Sequence, residues 1–166
     1  MKKNKFDSVI LGCGVSGLAT ACVLARQGLQ VAMVEKQENL GGKTTNAFVG
    51  TLCGLFFRTQ KPQFDYCSDG FMKEFAIKLQ NKSKMEPVFQ KDGLQFLPYH
   101  KEALSEVFHD YLNTNKIHVF YNSRVSEART NEGQVREVLI SEGSSQFWLE
   151  AKTLLMQAAQ LSWLIY

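Results

Sequence analysis

Three glycines in one short turn constrain the fold of this chain more than any other feature of its sequence. They lie in the hexapeptide GCGVSG, which spans Gly12 to Gly17. An apolar run from Ser8 to Leu11 precedes the turn and predicts a β-strand. A helix is predicted from about Gly17 to Gln27, and Gly28 suits the left-handed conformation that ends many helices. The order strand, glycine turn, helix is typical of a Rossmann-type unit.

Each glycine of the turn has a predicted role in holding a dinucleotide. Gly12 permits the tight turn, Gly14 lets the backbone approach a pyrophosphate, and Gly17 allows close contact between helix and strand. Val15 and Ser16 lie between them, just before the predicted helix. The free N–H groups and the positive dipole end of that helix favour a bound anion without a basic side chain.

A second apolar strand, Gln30 to Glu35, follows the helix and ends on an acidic residue. Glu35 is placed to accept hydrogen bonds from a ribose hydroxyl group. The glycine pattern alone is weak evidence, because glycine turns are common. Small residues at helical spacing, Gly17, Ala21 and Ala25, predict a helix that lies close on a sheet. Together these features predict dinucleotide binding.

The rest of the chain predicts two helices and several short strands. The helices are expected from Phe71 to Gln80 and from Lys101 to Asn113, and the short strands at Pro87 to Gln90 and Leu94 to Leu97. Three further runs predict a small antiparallel meander: Ile117 to Tyr121, Gln134 to Ser141 and Gln146 to Ala151. The predicted fold class is α/β, a Rossmann-type ββα sandwich with a small antiparallel β-meander.

Composition argues against several other functions. The net charge of +3 is spread along the chain, so nucleic-acid binding is not predicted. No stretch approaches the ~20 apolar residues of a transmembrane helix. The four cysteines and three histidines show no metal-ligand spacing, so we predict no metal site. Reduced cysteines of this kind suit a cytoplasmic protein.

The segment after the second strand, EKQENLGGKTT, resembles the glutathione-reductase-like flavoprotein superfamily, in which a glycine pair follows the acidic residue. The resemblance implies that the bound dinucleotide is FAD and that the glycine pair lines its diphosphate. An NAD-binding Rossmann domain is the alternative, which the glycine pair disfavours. The residues that the resemblance adds to the predicted cofactor site are Lys36, Gly41, Gly42, Lys43 and Thr44.

Two longer segments resemble the bacterial FAD-dependent oxidoreductase family more narrowly. In LGGKTTNAFVGTLCGLF, a glycine pair, a threonine and a later cysteine-glycine recur, which implies that Cys53 lies near the isoalloxazine ring. A small buried cysteine without redox activity is the favoured interpretation, because reactivity requires a lowered pKa. The segment IHVFYNSRVSEARTNEGQVREVLI resembles the part of the family whose valine, here Val125, contacts adenine through its backbone. No catalytic residues can be assigned.

Members of this family are normally much longer than this chain. The resemblance ends at Leu155, and the following MQAAQLSWLIY has neither the glycine nor the acidic residue expected there. Residues 1–166 are therefore predicted to form an FAD-binding domain that is the N-terminal portion of a longer architecture, with the substrate domain absent or only partial. The predicted function is that of an FAD-dependent oxidoreductase with an unknown substrate and NAD(P)H as one candidate donor. A truncated, non-catalytic FAD-binding remnant is the alternative, and a separately encoded C-terminal half is a candidate partner.

Overall fold

The computed structural model describes residues 3–47 and 49–156, and these form two compact units. The first unit comprises Met1–Gly42 and Tyr111–Tyr166, and the second comprises Lys43–Asp110. Strands and helices alternate in the first half of the chain, and strands dominate its end. The helices are α1 (Val15–Arg26), α2 (Lys43–Asn46), α3 (Phe71–Ser83) and α4 (Lys101–Thr114). The strands are β1 (Lys3–Leu11), β2 (Val31–Val34), β3 (Thr51–Cys53), β4 (Val88–Phe89), β5 (Gln95–Pro98), β6 (His118–Phe120), β7 (Ser123–Asn131), β8 (Gln134–Glu142) and β9 (Ser145–Met156).

The first unit is built on a six-stranded sheet in the order β6-β2-β1-β9-β8-β7. The pairs β6–β2, β2–β1 and β1–β9 are parallel. All four residues of β2, VAMV, are buried, as expected for a parallel strand that is covered on both faces. The predicted Rossmann-type α/β fold is confirmed.

The β-meander differs from the prediction in its first strand. The run expected there, Ile117 to Tyr121, instead forms β6 and pairs in parallel with β2. The meander consists of β7, β8 and the first half of β9, which pair antiparallel. The sequence of β7, SRVSEARTN, is polar and mostly exposed, so it has no apolar run that would predict a strand.

One strand belongs to both halves of this sheet. Residues 145–150 of β9 pair antiparallel with β8, and residues 148–156 pair parallel with β1. An apolar core lies between the meander and the parallel strands, with Leu11, Val34, Ile140 and Leu149 among its buried members. Strand β9 continues to Met156, beyond the predicted run from Gln146 to Ala151, and residues 157–166 of the tail lie outside the described residues.

Helix α1 buries one face, which carries Gly17, Leu18, Ala21 and Cys22. The predicted stripe of small residues is thus correct for Gly17 and Ala21, where a small side chain allows close packing. The helix ends as predicted: Gly28 has a φ of +85° and donates its N–H to the Ala25 carbonyl at 2.9 Å.

The second unit contains a three-stranded antiparallel sheet in the order β3-β5-β4. Its core includes Leu55, Phe56, Ala76 and Leu97. The helices predicted at Phe71 and Lys101 are confirmed as α3 and α4, each longer at its C-terminal end than predicted. Lys84 caps the C-terminus of α3 and adopts the left-handed conformation with a φ of 55°.

Candidate nucleotide-binding site

The glycine turn connects β1 to α1, and its glycines differ in what the backbone requires of them. Gly12 has a φ of 103°, which side-chain-bearing residues rarely adopt, and its N–H donates to the Val34 carbonyl at 2.8 Å. Gly14 has a φ of −75° and a ψ of 178°, an extended conformation open to any residue. The backbone conformation therefore does not require glycine at position 14. The absence of a side chain there leaves space in front of the helix.

The N-terminus of α1 carries donors for an anion. The first bond of the helix runs from the Leu18 N–H to the Gly14 carbonyl at 2.9 Å. The N–H groups of Val15, Ser16 and Gly17 precede that bond and so have no carbonyl within the helix. Gly14 caps the helix without a side-chain hydrogen bond, and the first turn holds no acidic residue. This end of α1 can therefore accept a negative charge.

Glu35 follows β2 and is buried, with 5% of its surface exposed. Its Oε2 accepts the Cys13 N–H at 2.9 Å, and its Oε1 accepts the Gln37 N–H at 3.1 Å. A carboxylate has about four acceptor positions, so acceptor capacity remains for ribose hydroxyl groups. The side chain thus ties the glycine turn to the end of β2.

The backbone of Glu35 joins β6 and β7 at the same place. Its N–H donates to the Phe120 carbonyl at 2.9 Å, and its carbonyl accepts the Ser123 N–H at 2.8 Å. Val125 lies two residues further along β7. The structure therefore brings Val125, the predicted adenine contact, to the strand end that carries Glu35.

The glycine pair lies against the glycine turn. The Gly41 N–H donates to the Cys13 carbonyl at 2.9 Å, and Gly14 and Gly41 form an isolated parallel bridge. Gly42 has a φ of 57°, and a Cβ added to it would lie 3.6 Å from the Cα of Gly14. The two glycine motifs, separated in sequence, thus form one surface of bare backbone.

Three other predicted residues belong to the second unit. Lys43 and Thr44 follow Gly42 directly and begin α2 in the second unit. Cys53 ends β3 and is exposed, so the expectation that it is a small buried residue is wrong. The strand is only three residues long and its last side chain lies outside the core, which a short, aperiodic sequence could not indicate.

Burial makes Cys13 an unreactive thiol within the glycine turn. Removal from water, and secondarily the negative charge of Glu35, hold the pKa of Cys13 far above its ordinary value. The side chain stays protonated at neutral pH and acts as a small apolar residue.

A cavity of about 510 Å³ lies in the first unit, and residues of β7 and β8 form much of its lining. Its walls include Leu11, Val34, Leu154 and Met156, which lie at the carboxyl ends of parallel strands, and Lys36 and Val125 also line it. Lys36 and Val125 were predicted from sequence, and the four apolar wall residues were not. The available signal was their position, because ligands of open α/β sheets bind outside the carboxyl ends of the strands.

Within the described residues, no group of three or more histidine, cysteine, aspartate or glutamate side chains could hold a metal ion. None of the helices in those same residues is long and apolar enough to cross a membrane.

The parallel sheet, the glycine turn at the head of α1 and the acidic residue that ends β2 define a Rossmann-type nucleotide-binding protein. The chain belongs to the FAD dependent oxidoreductase family, which matches residues 7–155. FAD is the cofactor of this family, and the resemblance proposed from the sequence is confirmed at the family level.

Individual relatives are longer proteins of varied activity. The chain is 35% identical over 92 residues to UDP-galactopyranose mutase of Mycoplasma pneumoniae, covering 55% of this chain and 21% of that protein. It is 29% identical over 133 residues to carotenoid 3,4-desaturase of Haloarcula japonica, covering 68% of this chain and 26% of that protein. The chain therefore spans about a quarter of the length of these relatives.

Solved structures agree on the fold. A 3-ketosteroid-delta4-(5alpha)-dehydrogenase from Rhodococcus jostii RHA1 matches with a TM-score of 0.64 at 12% identity, covering 94% of this chain and 46% of that one. A geranylgeranyl bacteriochlorophyll reductase-like protein from Thermoplasma acidophilum matches with a TM-score of 0.60 at 17% identity, covering 93% of this chain and 39% of that one. At these identities the likeness concerns the fold alone.

Proposed function

We propose that this chain binds the ADP half of FAD at the carboxyl end of its parallel sheet, as the FAD-binding part of a larger oxidoreductase. Gly12, Gly14 and Gly17 would hold the pyrophosphate at the N-terminus of α1, together with Val15 and Ser16. Gly41 and Gly42 would extend that cradle. One observation carries this proposal: Cys13 links the glycine turn to Glu35 and to the glycine pair. Its N–H donates to the Glu35 Oε2 at 2.9 Å, and its carbonyl accepts the Gly41 N–H at 2.9 Å.

The residues present fit the cofactor. A pyrophosphate requires close approach of the backbone, and the facing glycines supply a surface without side chains. Glu35 keeps acceptor capacity for the ribose, and Lys36 and Val125 would border the adenine. Lys43 and Thr44, next in sequence after the glycine pair, would add a cation and a hydroxyl group for the phosphates.

When bound, FAD supplies the redox chemistry through its isoalloxazine ring, while the protein binds and orients it. The described residues of this chain would perform the binding: the N–H groups of Val15, Ser16 and Gly17 would donate to phosphate, and the Glu35 carboxylate would accept from the ribose. The substrate, the electron donor and the residues that contact them belong to the proposed larger architecture, of which residues 1–166 would be the N-terminal portion.

The decisive experiment is Gly14→Val, titrated with FAD, ADP and adenosine. Because Gly14 is extended, the variant should fold with an unchanged circular dichroism spectrum. It should lose FAD and ADP binding, since the side chain would occupy the place of the pyrophosphate. Adenosine, which has no phosphate, should bind the variant and the wild type equally. Flavin content equal to that of the wild type would refute the proposal, and uptake of NAD in place of FAD would reassign the cofactor.

A further inference from the structure

Tyr99 contacts three backbone carbonyl groups of one segment of the second unit. Its N–H donates to the Gly50 carbonyl at 2.9 Å. Its hydroxyl group lies 3.0 Å from the carbonyl oxygen of Thr44 and 2.5 Å from that of Val49. The hydroxyl has one hydrogen, which it can donate to either carbonyl. Because these carbonyls belong to Thr44 and Val49, the Tyr99 side chain contacts both ends of the segment.

The segment it holds includes α2. The Ala47 N–H donates to the Lys43 carbonyl at 3.0 Å and closes the helix, and Thr45 is buried with 5% of its surface exposed. A four-residue helix is too short to be stable by itself and needs tertiary contacts. Tyr99 provides such a contact directly at Thr44, one of the proposed phosphate-binding residues.

The state of the Tyr99 hydroxyl suits this role. The side chain is buried, with 5% of the residue exposed, and its removal from water raises its pKa above the ordinary value. The phenol therefore stays protonated at neutral pH and remains a hydrogen-bond donor.

We propose that Tyr99 is a positioning residue that holds Lys43 and Thr44 in the conformation required to bind the diphosphate of FAD. This inference rests on the proposed function of the site. Without the hydroxyl hydrogen bonds, the segment would populate the binding-competent conformation for only part of the time. The apparent affinity for phosphate-bearing ligands would then be the intrinsic affinity multiplied by that fraction of time.

The test compares Tyr99→Phe with Tyr66→Phe, which removes a hydroxyl elsewhere in the same unit while its ring keeps its packing on Phe56. We expect Tyr99→Phe to weaken FAD and ADP binding about 5- to 30-fold, the usual effect of one or two lost hydrogen bonds. Adenosine binding should be unchanged. Hydrogen exchange of the peptide from Thr44 to Gly50 should become faster in Tyr99→Phe only.

The outcomes separate this inference from the proposed function. Wild-type protein that binds neither FAD nor ADP would refute both. Wild-type protein that binds FAD, together with Tyr99→Phe that binds it equally well, would overturn the role of Tyr99 alone. An equal loss of FAD and adenosine binding would also overturn it, because a general structural defect would then explain the variant.

Discussion

Glu35 is a buried carboxylate stabilised by two backbone N–H groups, those of Cys13 and Gln37. The side chain therefore organises the glycine turn before any nucleotide arrives. This residue, which was predicted from sequence as a ribose ligand, has a structural role, because a buried N–H without a partner is costly.

Glu35→Ala should reduce the free energy of unfolding by about 1–3 kcal/mol in the absence of FAD, since it removes the acceptor of the buried Cys13 N–H. FAD affinity should fall in addition, by about 1–3 kcal/mol for the lost ribose contact. Urea unfolding with and without FAD separates the two effects. Glu38→Ala removes an exposed carboxylate nearby and is the matched control. Unfolding curves of Glu35→Ala that coincide with the wild type would contradict the structural role.

Single residues could be predicted from sequence where their spacing encodes the geometry of the backbone. The glycine turn, the glycine pair and Glu35 were each named from sequence, and hydrogen bonds through Cys13 bring them together. Tyr99 was missed because it acts on carbonyls about fifty residues away, and a single tyrosine leaves no periodic signal. Cys53 was expected to be a small buried residue because reactivity requires a lowered pKa, but this reason says nothing about exposure, and Cys53 lies exposed at the end of a short strand.

Among the elements, the buried apolar strands and the amphipathic helices were predictable, and the polar strand β7 was not. Its polar sequence has no apolar run that would predict a strand, and its position depends on pairing with β8 and on the bond from the Ser123 N–H to the Glu35 carbonyl. The error over β6 has the same origin: a three-residue strand can join either a meander or a parallel sheet, and only tertiary contacts decide.

Helix α1 offers a test of close packing at the element scale. Ala21 is fully buried, whereas Val23 on the same helix is 44% exposed. Ala21→Leu should destabilise the protein by about 1–3 kcal/mol, because extra methylene groups do not fit a filled interface. Val23→Leu, the control, should be neutral. Thermal unfolding measures both, and equal melting temperatures for the two variants would show that α1 does not pack closely.

For the whole molecule, the fold was predictable from sequence, whereas the activity was not. The chain spans 21% to 26% of the curated relatives compared above. Controlled hydride transfer requires a substrate site that excludes water from the flavin. The proposed site would hold only the ADP half of FAD.

We therefore expect the purified 166-residue chain, supplied with FAD, to show no NAD(P)H oxidation above that of free FAD. Steady-state absorbance at the NAD(P)H band measures this, with free FAD at equal concentration as the control. Addition of a polypeptide that corresponds to the remaining length of a relative tests for a partner. Turnover well above free FAD by this chain alone would establish it as an enzyme in its own right.

The pairing of β1 with β9 also determines when the sheet can be completed during synthesis. β1 begins at Lys3 and β9 ends at Met156, and they pair along most of the length of β1. A nascent chain on the ribosome therefore carries β1 with one open edge until nearly all the described residues have been made. Such long-range pairing slows folding and leaves an apolar edge open to wrong partners in the meantime. The last of the described strands to be synthesised is the one that closes the centre of the sheet.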